Sequence, residues 1–364
     1  MSFSRSLLRH KGLWAFLFIG LGMGCSQRTL DLLGRSFVPM HLTAQQVTDS
    51  TYHQVILPGY RTFTQQAQAL HTAVQALAQS PQDATLLTQA QEAWQAASEA
   101  WVLTEAYQFG PATEERLRQN IAFWPRRTDH ITRVLTETTP IQIQQLGTSR
   151  KGLPVMEYLL FHERDAFASA AAARHVAYLK VLSQDLVTQA QALQTAWEGE
   201  YGASYLSSAN AQNMQLNQWV VLLENIKNKR LGNPAGLLDG QATGLETLEA
   251  PDSQVSLPLL KAAIAGFSQN YALEGLKTQS NVPDTAEYVV ALGHREVHAQ
   301  ILAQTQVVRQ SFTALEPSLE RALTEKPEAV AESYEAIKTL LRLVKVDLAN
   351  ALNQTVNFTD NDGD

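Results

Sequence analysis

The stretch Gly152-Leu-Pro-Val-Met-Glu-Tyr-Leu-Leu-Phe161 combines a turn, a helix start and an acidic side chain within ten residues. Gly152 frees the backbone, and Pro154 has the fixed φ and the missing N–H group that suit the first turn of a helix. Large apolar side chains recur at helical spacing at Leu153, Met156, Leu159 and Leu160. The stretch therefore predicts a helix with a buried apolar face.

Glu157 places a carboxylate inside this apolar run. It either faces solvent or is paired, because burying an unpaired charge costs several kcal/mol. Arg126, Arg127 and Asp129 follow a Trp-Pro pair upstream and are the candidates for charge-assisted bonds to a buried Glu157. Placement at the surface is an equal alternative for each of them.

Length and charge limit the classes of protein to which this chain can belong. It has 364 residues, of which 45% are hydrophobic, and this length favours about two domains. The formal charge is −7 and no strongly basic block is present, so nucleic acid is not an expected partner. Cys25 is the only cysteine, which excludes an intrachain disulfide and a cysteine-based zinc cluster.

The N-terminal residues have the pattern of a secretory signal. A basic region up to Lys11 precedes an apolar run from Leu13 to Leu21, which is too short to span a membrane, since about 20 apolar residues are needed. Gly22-Met-Gly-Cys25 then resembles a bacterial lipoprotein processing site. This pattern predicts a signal peptide over residues 1–24, and the alternative is an ordinary signal peptide followed by an unrelated cysteine.

Lipidation of Cys25 would attach the mature protein to a membrane. Residues 25–45 carry no clean periodicity and are predicted to be the tether. Ser26 is the type of residue that in lipoproteins usually permits export to the outer membrane. We therefore expect a lipoprotein of the bacterial cell envelope that faces the periplasm, at the outer membrane rather than the inner one.

Helical patterns dominate from about residue 46 onwards. Apolar spacing and helix stop signals predict helices near residues 60–79, 84–109, from 113, 152–161, 167–197, 211–230, 256–275, 284–314 and 327–354. Glu198-Gly-Glu-Tyr-Gly202 marks the clearest break. The sequence predicts an all-α protein with two packed helical bundles of the four-helix type, at 46–200 and 201–356, and a disordered tail at 357–364. Internal duplication is one origin for this arrangement.

Trp94 and Trp101 stand seven residues apart with small alanines between them, which is typical of a closely packed bundle helix. Glu105 lies four residues beyond Trp101, one turn before a Gly-Pro stop. Its spacing alone predicts a surface charge.

Several segments resemble the imelysin family, whose motif is Gly-x-His-x-x-Glu. Gly152 and Glu157 match this motif, and Pro154 stands in place of its histidine. The other segments that are similar to the family are Trp94–Trp101, Thr104–Pro111, Trp124-Pro125, Lys229–Gly236 and Glu249–Ser253. Together they cover most of the chain beyond about residue 45.

The resemblance implies a bacterial envelope protein linked to iron, in a family once classed as metallopeptidases. It implies a site between the two bundles that contains Gly152, Glu157, Glu105, Arg126 and Asp129. Glu157 and Glu105 are its expected oxygen ligands or polar anchors, because carboxylates suit hard iron. The expected cofactor is iron or another divalent metal.

His294 and His298 are four residues apart, so on a helix they would share a face and could chelate a divalent ion. In the zinc-peptidase pattern His-Glu-x-x-His the glutamate follows the first histidine, and here Arg295 takes that place. Two solvated helix histidines are the alternative reading of this pair.

Three functions remain open from the sequence. The first is a non-enzymatic component of iron acquisition or iron-responsive envelope function, with envelope iron-uptake proteins as partners. The second is a lipid-tethered interaction scaffold without a ligand. The third is a metallopeptidase, which the replacement of the motif histidine by Pro154 argues against, because proline has no donor atom for a metal.

Treatment of cells with globomycin, which blocks lipoprotein signal cleavage, should make an unprocessed precursor of this chain accumulate. Precursor and mature forms are separated by gel mobility, and the variant Cys25→Ala should show no response to the inhibitor. An unchanged mobility of the wild-type chain would contradict lipidation at Cys25.

Overall fold

Helices make up all regular secondary structure in residues 42–277 and 282–357, the parts of the chain that the computed structural model describes. The predicted all-α class is therefore confirmed. The predicted signal peptide, the tether up to residue 41 with Cys25, and residues 358–364 of the predicted tail lie outside the described residues. Within the described ranges, no helix combines the length and apolarity needed to cross a membrane.

The α-helices are numbered in chain order. Up to residue 207 they are α1 (Ala44–Thr51), α2 (Leu57–Gln79), α3 (Ala84–Leu103), α4 (Pro111–Glu114), α5 (Leu117–Ile121), α6 (Thr128–Thr136), α7 (Gly152–Glu157), α8 (Ala172–Glu198) and α9 (Glu200–Ser207). Beyond it they are α10 (Ala211–Asn225), α11 (Asn233–Ala235), α12 (Ser256–Ala272), α13 (Thr285–Ala291), α14 (Arg295–Ala314), α15 (Leu319–Glu325), α16 (Pro327–Arg342) and α17 (Ala349–Ala351).

Wider and tighter helical turns extend several of these helices or join them. The π-helical turns are Tyr52–Ile56, Tyr158–His162, Ile226–Gly232 and Leu343–Leu348. The 3₁₀ turns are Thr104–Tyr107, Ile143–Gln145, Thr148–Arg150, Arg164–Ala168 and Leu245–Thr247.

Helices α2 and α3 follow directly from local sequence signals. The apolar residues that recur at helical spacing in α2 are all buried, namely Phe63, Ala67, Leu70, Val74 and Leu77. Asp83 caps the start of α3, where its carboxylate accepts hydrogen bonds from the backbone N–H groups of Thr85 and Leu86. The apolar period thus sets the buried face of α2, and the Asp83 cap fixes the start of α3.

Tryptophan side chains fix α3 against its neighbours. Trp94 and Trp101 are almost completely buried, as their spacing predicts. The indole N–H of Trp94 donates to the carbonyl oxygen of Leu153 at 2.9 Å, which ties α3 to the beginning of α7. In the same half of the chain, α2 packs along both α3 and α8.

The two halves of the chain meet along α3 and the turn that follows it. Helix α12 crosses α3 so closely that a Cβ atom at Gly266 would overlap the carbonyl oxygen of Leu103. From α10, the side-chain amide of Gln215 donates to the carbonyl oxygen of Ala106 at 2.6 Å. The end of α3 is therefore held by residues from the second half of the chain.

The predicted helix near residues 284–314 is interrupted. The chain leaves α13 after Ala291, and Gly293 has a φ of +95°, which is outside the range of a right-handed helix. Helix α14 then begins at Arg295. Glycine in the left-handed region ends the first helix at a point where apolar spacing alone gave no signal.

The predicted domain boundary near residue 200 falls at Gly199, between α8 and α9. The described residues belong to one compact unit, which spans residues 39–364. The division into two bundles and their origin by duplication stay predictions.

We expect Gly152→Ala to lower the free energy of unfolding by about 3 kcal/mol or more. Gly152 has a φ of +77°, and a Cβ atom there would overlap the carbonyl oxygen of Ile121. The matched control is Gly147→Ala, because Gly147 has an ordinary φ of −68° and no atom within 4 Å of an added Cβ. Urea unfolding followed by circular dichroism measures both changes, and equal stability of the two variants would refute the steric argument.

Candidate functional site

A cleft of about 470 Å³ lies between residues of the first and second halves of the chain. Aromatic, amide and charged side chains line it. From the first half these are Trp101, Glu105, Gln108, Arg118, Gln119, Ala122, Phe123 and Trp124. From the second half they are Gln218, Val221, Leu222, Glu224, Asn225, Lys229, Arg230 and Glu249.

The guanidinium group of Arg230 binds two carboxylates in this cleft. It donates to both oxygens of Glu105 at 2.8 Å, and to Glu249 at 2.7 and 3.0 Å. The same group lies 5.8 Å from the centre of the Trp124 ring, within the range of a cation–π contact. Only 4% of the Arg230 side chain is exposed, so the pairing compensates a charge that is removed from water.

Burial and ion pairing act in opposite directions on these groups. Burial lowers the pKa of Arg230, but the Glu105 and Glu249 carboxylates outweigh it and raise that pKa above its ordinary value. Burial raises the pKa of Glu249, and the Arg230 guanidinium opposes that shift. Arg230 therefore carries a permanent positive charge between the two acidic groups.

Backbone contacts fix the position of Glu105. It lies in the 3₁₀ turn Thr104–Tyr107 that follows α3, and the side-chain amide of Gln218 donates to its carbonyl oxygen at 2.7 Å. Spacing alone predicted a surface charge here, whereas the structure places the carboxylate inside the cleft. Long-range pairing with Arg230, which spacing along one helix cannot show, accounts for the difference.

Glu157 is fully buried and belongs to a second ionic cluster. One of its oxygens pairs with Arg126, and the other accepts the backbone N–H groups of Asp252 and Ser253, both at 2.8 Å. Arg126 also pairs with the carboxylate of Asp252. The Glu157 carboxylate thus holds the segment after Glu249 against the end of α7.

Burial raises the pKa of Glu157 to about 7. The Arg126 guanidinium and the two backbone N–H groups lower that pKa, whereas the Asp252 carboxylate raises it. The loss of hydration outweighs the partners, so the charged form of Glu157 is less favoured than in water.

Two short segments connect the clusters. Trp124 contacts Arg230, and Arg126, two residues later, pairs with Glu157. Glu249 pairs with Arg230, and the residues from Asp252 to Ser253 bind Glu157. A displacement of either segment would therefore change both clusters.

Of the site residues predicted from the sequence, Asp129 lies apart from both clusters. Its side chain is 60% exposed and pairs with Arg127 and His130. Gly152 acts through its backbone, since it opens α7 next to the carbonyl oxygen of Ile121. The structure therefore brings Glu157 together with Arg126, and Glu105 with Arg230.

The predicted metal ligands do not form a set that fits a metal ion. Both oxygens of Glu157 have partners, and Pro154 borders a void of only about 10 Å³. Glu105 and Glu249 both bind Arg230, which takes the position of a cation between them. In residues 42–277 and 282–357, no group of three or more histidine, cysteine or acidic residues is placed to hold a metal ion.

His294 and His298 have different surroundings. His294 is exposed and precedes the first residue of α14. The Nδ1 atom of His298 lies 3.2 Å from the Tyr271 hydroxyl group, and burial lowers the pKa of this histidine. Within the described ranges, this pair is not part of any group of three or more histidine, cysteine or acidic residues placed to hold a metal ion.

Sequence reasoning did not single out Arg230 or Glu249 as site residues. Both lie in segments that resemble the family, Lys229–Gly236 and Glu249–Ser253, but nothing in their spacing indicates a shared partner. The one signal that could have pointed to their pairing is the position of Arg230 on the buried side of a helix end. A buried guanidinium group requires acidic partners.

Residues 56–345 match the family model described as Peptidase_M75, imelysin. Iron-regulated protein A of Synechococcus elongatus is 31% identical to the chain over 179 residues. That alignment covers 49% of this chain and 47% of the relative, so the chain aligns with about half the length of this curated protein.

Two solved structures share the fold. An imelysin-like protein from Psychrobacter arcticum superposes with a TM-score of 0.71 and 22% identity, over 87% of this chain and 99% of that chain. A putative iron-regulated protein A precursor from Parabacteroides distasonis gives a TM-score of 0.68 and 18% identity, over 82% and 92% of the two chains. At these identities the likeness concerns the fold alone.

The pKa of Glu157 gives a prediction for stability against pH. Because its folded pKa of about 7 exceeds the ordinary 4.5, the stability from this group is fully present below pH 4.5 and is lost as the pH rises through 7. Relative to Glu157→Gln, which does not titrate, the free energy of unfolding of the wild type should fall by roughly 2 kcal/mol between pH 5 and 8.

Urea unfolding of both proteins at the two pH values measures this difference. The variant is its own control, since every other titrating group is common to both chains. A difference that stays constant from pH 5 to pH 8 would show that Glu157 does not titrate in this range.

Proposed function

The chain belongs to the imelysin family, and from this premise we propose that it is a non-enzymatic, ligand-binding component of iron-responsive function in the bacterial cell envelope. The link to iron is supported by its similarity to Iron-regulated protein A over about half of that relative's length. The ligand site we propose is the cleft around Arg230.

The observation that carries this proposal is the pairing of Arg230 with Glu105 and Glu249 inside a cleft that both halves of the chain line. A preformed cleft of this size, with a few fixed polar groups and aromatic walls, is typical of a small-molecule site. Since the ion pairs join residues from both halves, a bound ligand would contact both at once.

Binding without catalysis is supported by the state of the motif residues. Pro154 offers no donor atom, and the Glu157 carboxylate is occupied by Arg126 and two backbone N–H groups. A general base must reach a proton of the substrate, and Glu157 is fully buried. Chelator-sensitive cleavage of an unstructured protein by the purified chain would contradict this part of the proposal.

We further propose that the protein is a lipoprotein anchored through Cys25, facing the periplasm at the outer membrane. The basic region, the short apolar run and the cysteine after small residues support this localisation. Envelope proteins of iron uptake are then the partners that the anchored protein would meet.

The interaction scaffold without a ligand is supported by a different surface. Leu302 and Val307 on α14 are 44% and 47% exposed, and the stretch 299–308 carries no charged residue. An uncharged helix segment with two exposed apolar side chains is a candidate protein contact. The two functions therefore predict different sensitive positions on the same chain.

Growth under iron limitation separates the two. Val221→Trp adds a large side chain to the lining of the cleft without removing an ionic group, and Val307→Trp adds the same side chain at the exposed face of α14. In cells that lack the wild-type gene, we expect Val307→Trp to restore growth fully and Val221→Trp to restore less than half of it.

The opposite pattern, with Val307→Trp failing and Val221→Trp active, would favour the scaffold. Full restoration by Val221→Trp would remove the cleft from the proposal. Immunoblots of the envelope fraction must show equal amounts of both variants, so that a growth defect is not a loss of protein.

A further inference from the structure

Two basic side chains in the cleft lack the ion pairs that the other cations have. In the lining, Arg230 is paired with two glutamates, and Glu224 is paired at 3.0 Å with Lys345, which lies outside the lining. Arg118 and Lys229 also line the cleft, and neither has an ion-pair partner in the parts of the chain that the structure describes. The cleft therefore contains two cations that no carboxylate contacts directly, although its lining holds as many carboxylates as basic side chains.

Neutral polar atoms in the cleft lining are also without partners. The indole N–H of Trp124 and the side-chain oxygen of Gln119 are shielded from solvent and make no hydrogen bond to the described residues. An unsatisfied buried polar group costs about 1–3 kcal/mol. A ligand that accepts from Trp124 and donates to Gln119 would recover this cost once each side chain turned its polar atom toward the cleft.

The two unpaired cations come from different halves of the chain. Arg118 lies on α5, and Lys229 lies in the π-helical turn Ile226–Gly232 that extends α10. Burial lowers the pKa of Lys229, the Arg118 and Arg230 guanidinium groups lower it further, and the Glu105 carboxylate raises it. Lys229 therefore lies close enough to both guanidinium groups to be repelled by them, and an anion between Lys229 and Arg118 would relieve part of that repulsion.

We propose that the cleft binds a small polycarboxylate anion through Arg118 and Lys229. The inference rests on the proposed function, because it names the ligand class of the same cleft. Either the free acid or its ferric chelate carries the required carboxylates and hydroxyl groups. A bare metal ion suits the cleft less well, since Glu105 and Glu249 already bind Arg230.

Charge and size favour a polycarboxylate over a compact anion. Arg118 comes from the first half of the chain and Lys229 from the second, and a tricarboxylate supplies a separate negative group for each. Glu105 and Glu249 repel any anion in the same space, and a ligand with spaced carboxylates can hold its charges away from them, whereas a compact phosphate cannot. The volume of about 470 Å³ accommodates a molecule of this kind.

Calorimetric titration of the full chain tests the proposal with citrate, ferric citrate, inorganic phosphate and ferrous ion as separate probes. Citrate, free or as the ferric chelate, should bind saturably. Arg118→Gln or Lys229→Gln should weaken its Kd about tenfold, as expected for the loss of one charge-assisted hydrogen bond. Lys227→Gln is the matched control, because Lys227 lies in the same helical turn as Lys229 but outside the cleft lining. The Kd of this variant for citrate should stay within about twofold of the wild-type value.

Tighter binding of ferric citrate identifies the chelate as the ligand, and equal binding identifies the free acid; both support the proposal. It would be overturned if citrate bound in neither form, if phosphate bound more tightly, or if Lys227→Gln weakened binding as much as Lys229→Gln. Ferrous ion bound alone and unaffected by Lys229→Gln would also overturn it. Circular dichroism confirms that each variant is folded.

The two proposals fail in different experiments. Citrate binding without a growth defect in Val221→Trp cells would leave the ligand class of the cleft standing and remove the cleft from the iron-responsive function. A growth defect in those cells without citrate binding to the purified chain would leave the function of the cleft standing and remove the polycarboxylate as its ligand.

Discussion

A charge buried where two parts of a chain meet requires a partner, and Arg230 has one from each part, Glu105 from the first half and Glu249 from the second. The guanidinium group cannot give up its proton, so the two carboxylates are needed wherever it is removed from water. Glu105 comes from the turn after α3 and Arg230 from the turn after α10. This one interaction therefore determines how the end of the first core helix faces the second half of the chain.

The Glu157 cluster also holds segments of the two halves of the chain together. Its carboxylate accepts two backbone N–H groups from the segment that also carries Glu249, and its partner Arg126 follows Trp124, which contacts Arg230. The family motif thus has a structural role in this chain, because it positions the walls of the cleft. The cleft itself contains Arg118 and Lys229, two basic groups without an ion-pair partner among the described residues.

Particular residues show how far the sequence could predict this structure. The burial of Phe63, Trp94 and Trp101 followed from spacing, because a helix places residues three and four apart on one face. The break at Gly293 did not, since a glycine is compatible with a helix until its φ is known. The pairing of Glu105 with Arg230 joins residues 125 positions apart, and no local pattern contains such a distance.

The sequence by itself determined the helical class and the apolar faces, because both arise from interactions between residues a few positions apart. It also limited Glu157 to two arrangements, exposure to solvent or pairing, because its neighbours along the chain are apolar and an unpaired buried charge is costly. Only the tertiary structure decided which partner each buried charge received and which cations were left without one. Those choices depend on which segments pack together, and packing combines the contributions of residues that are far apart in the chain.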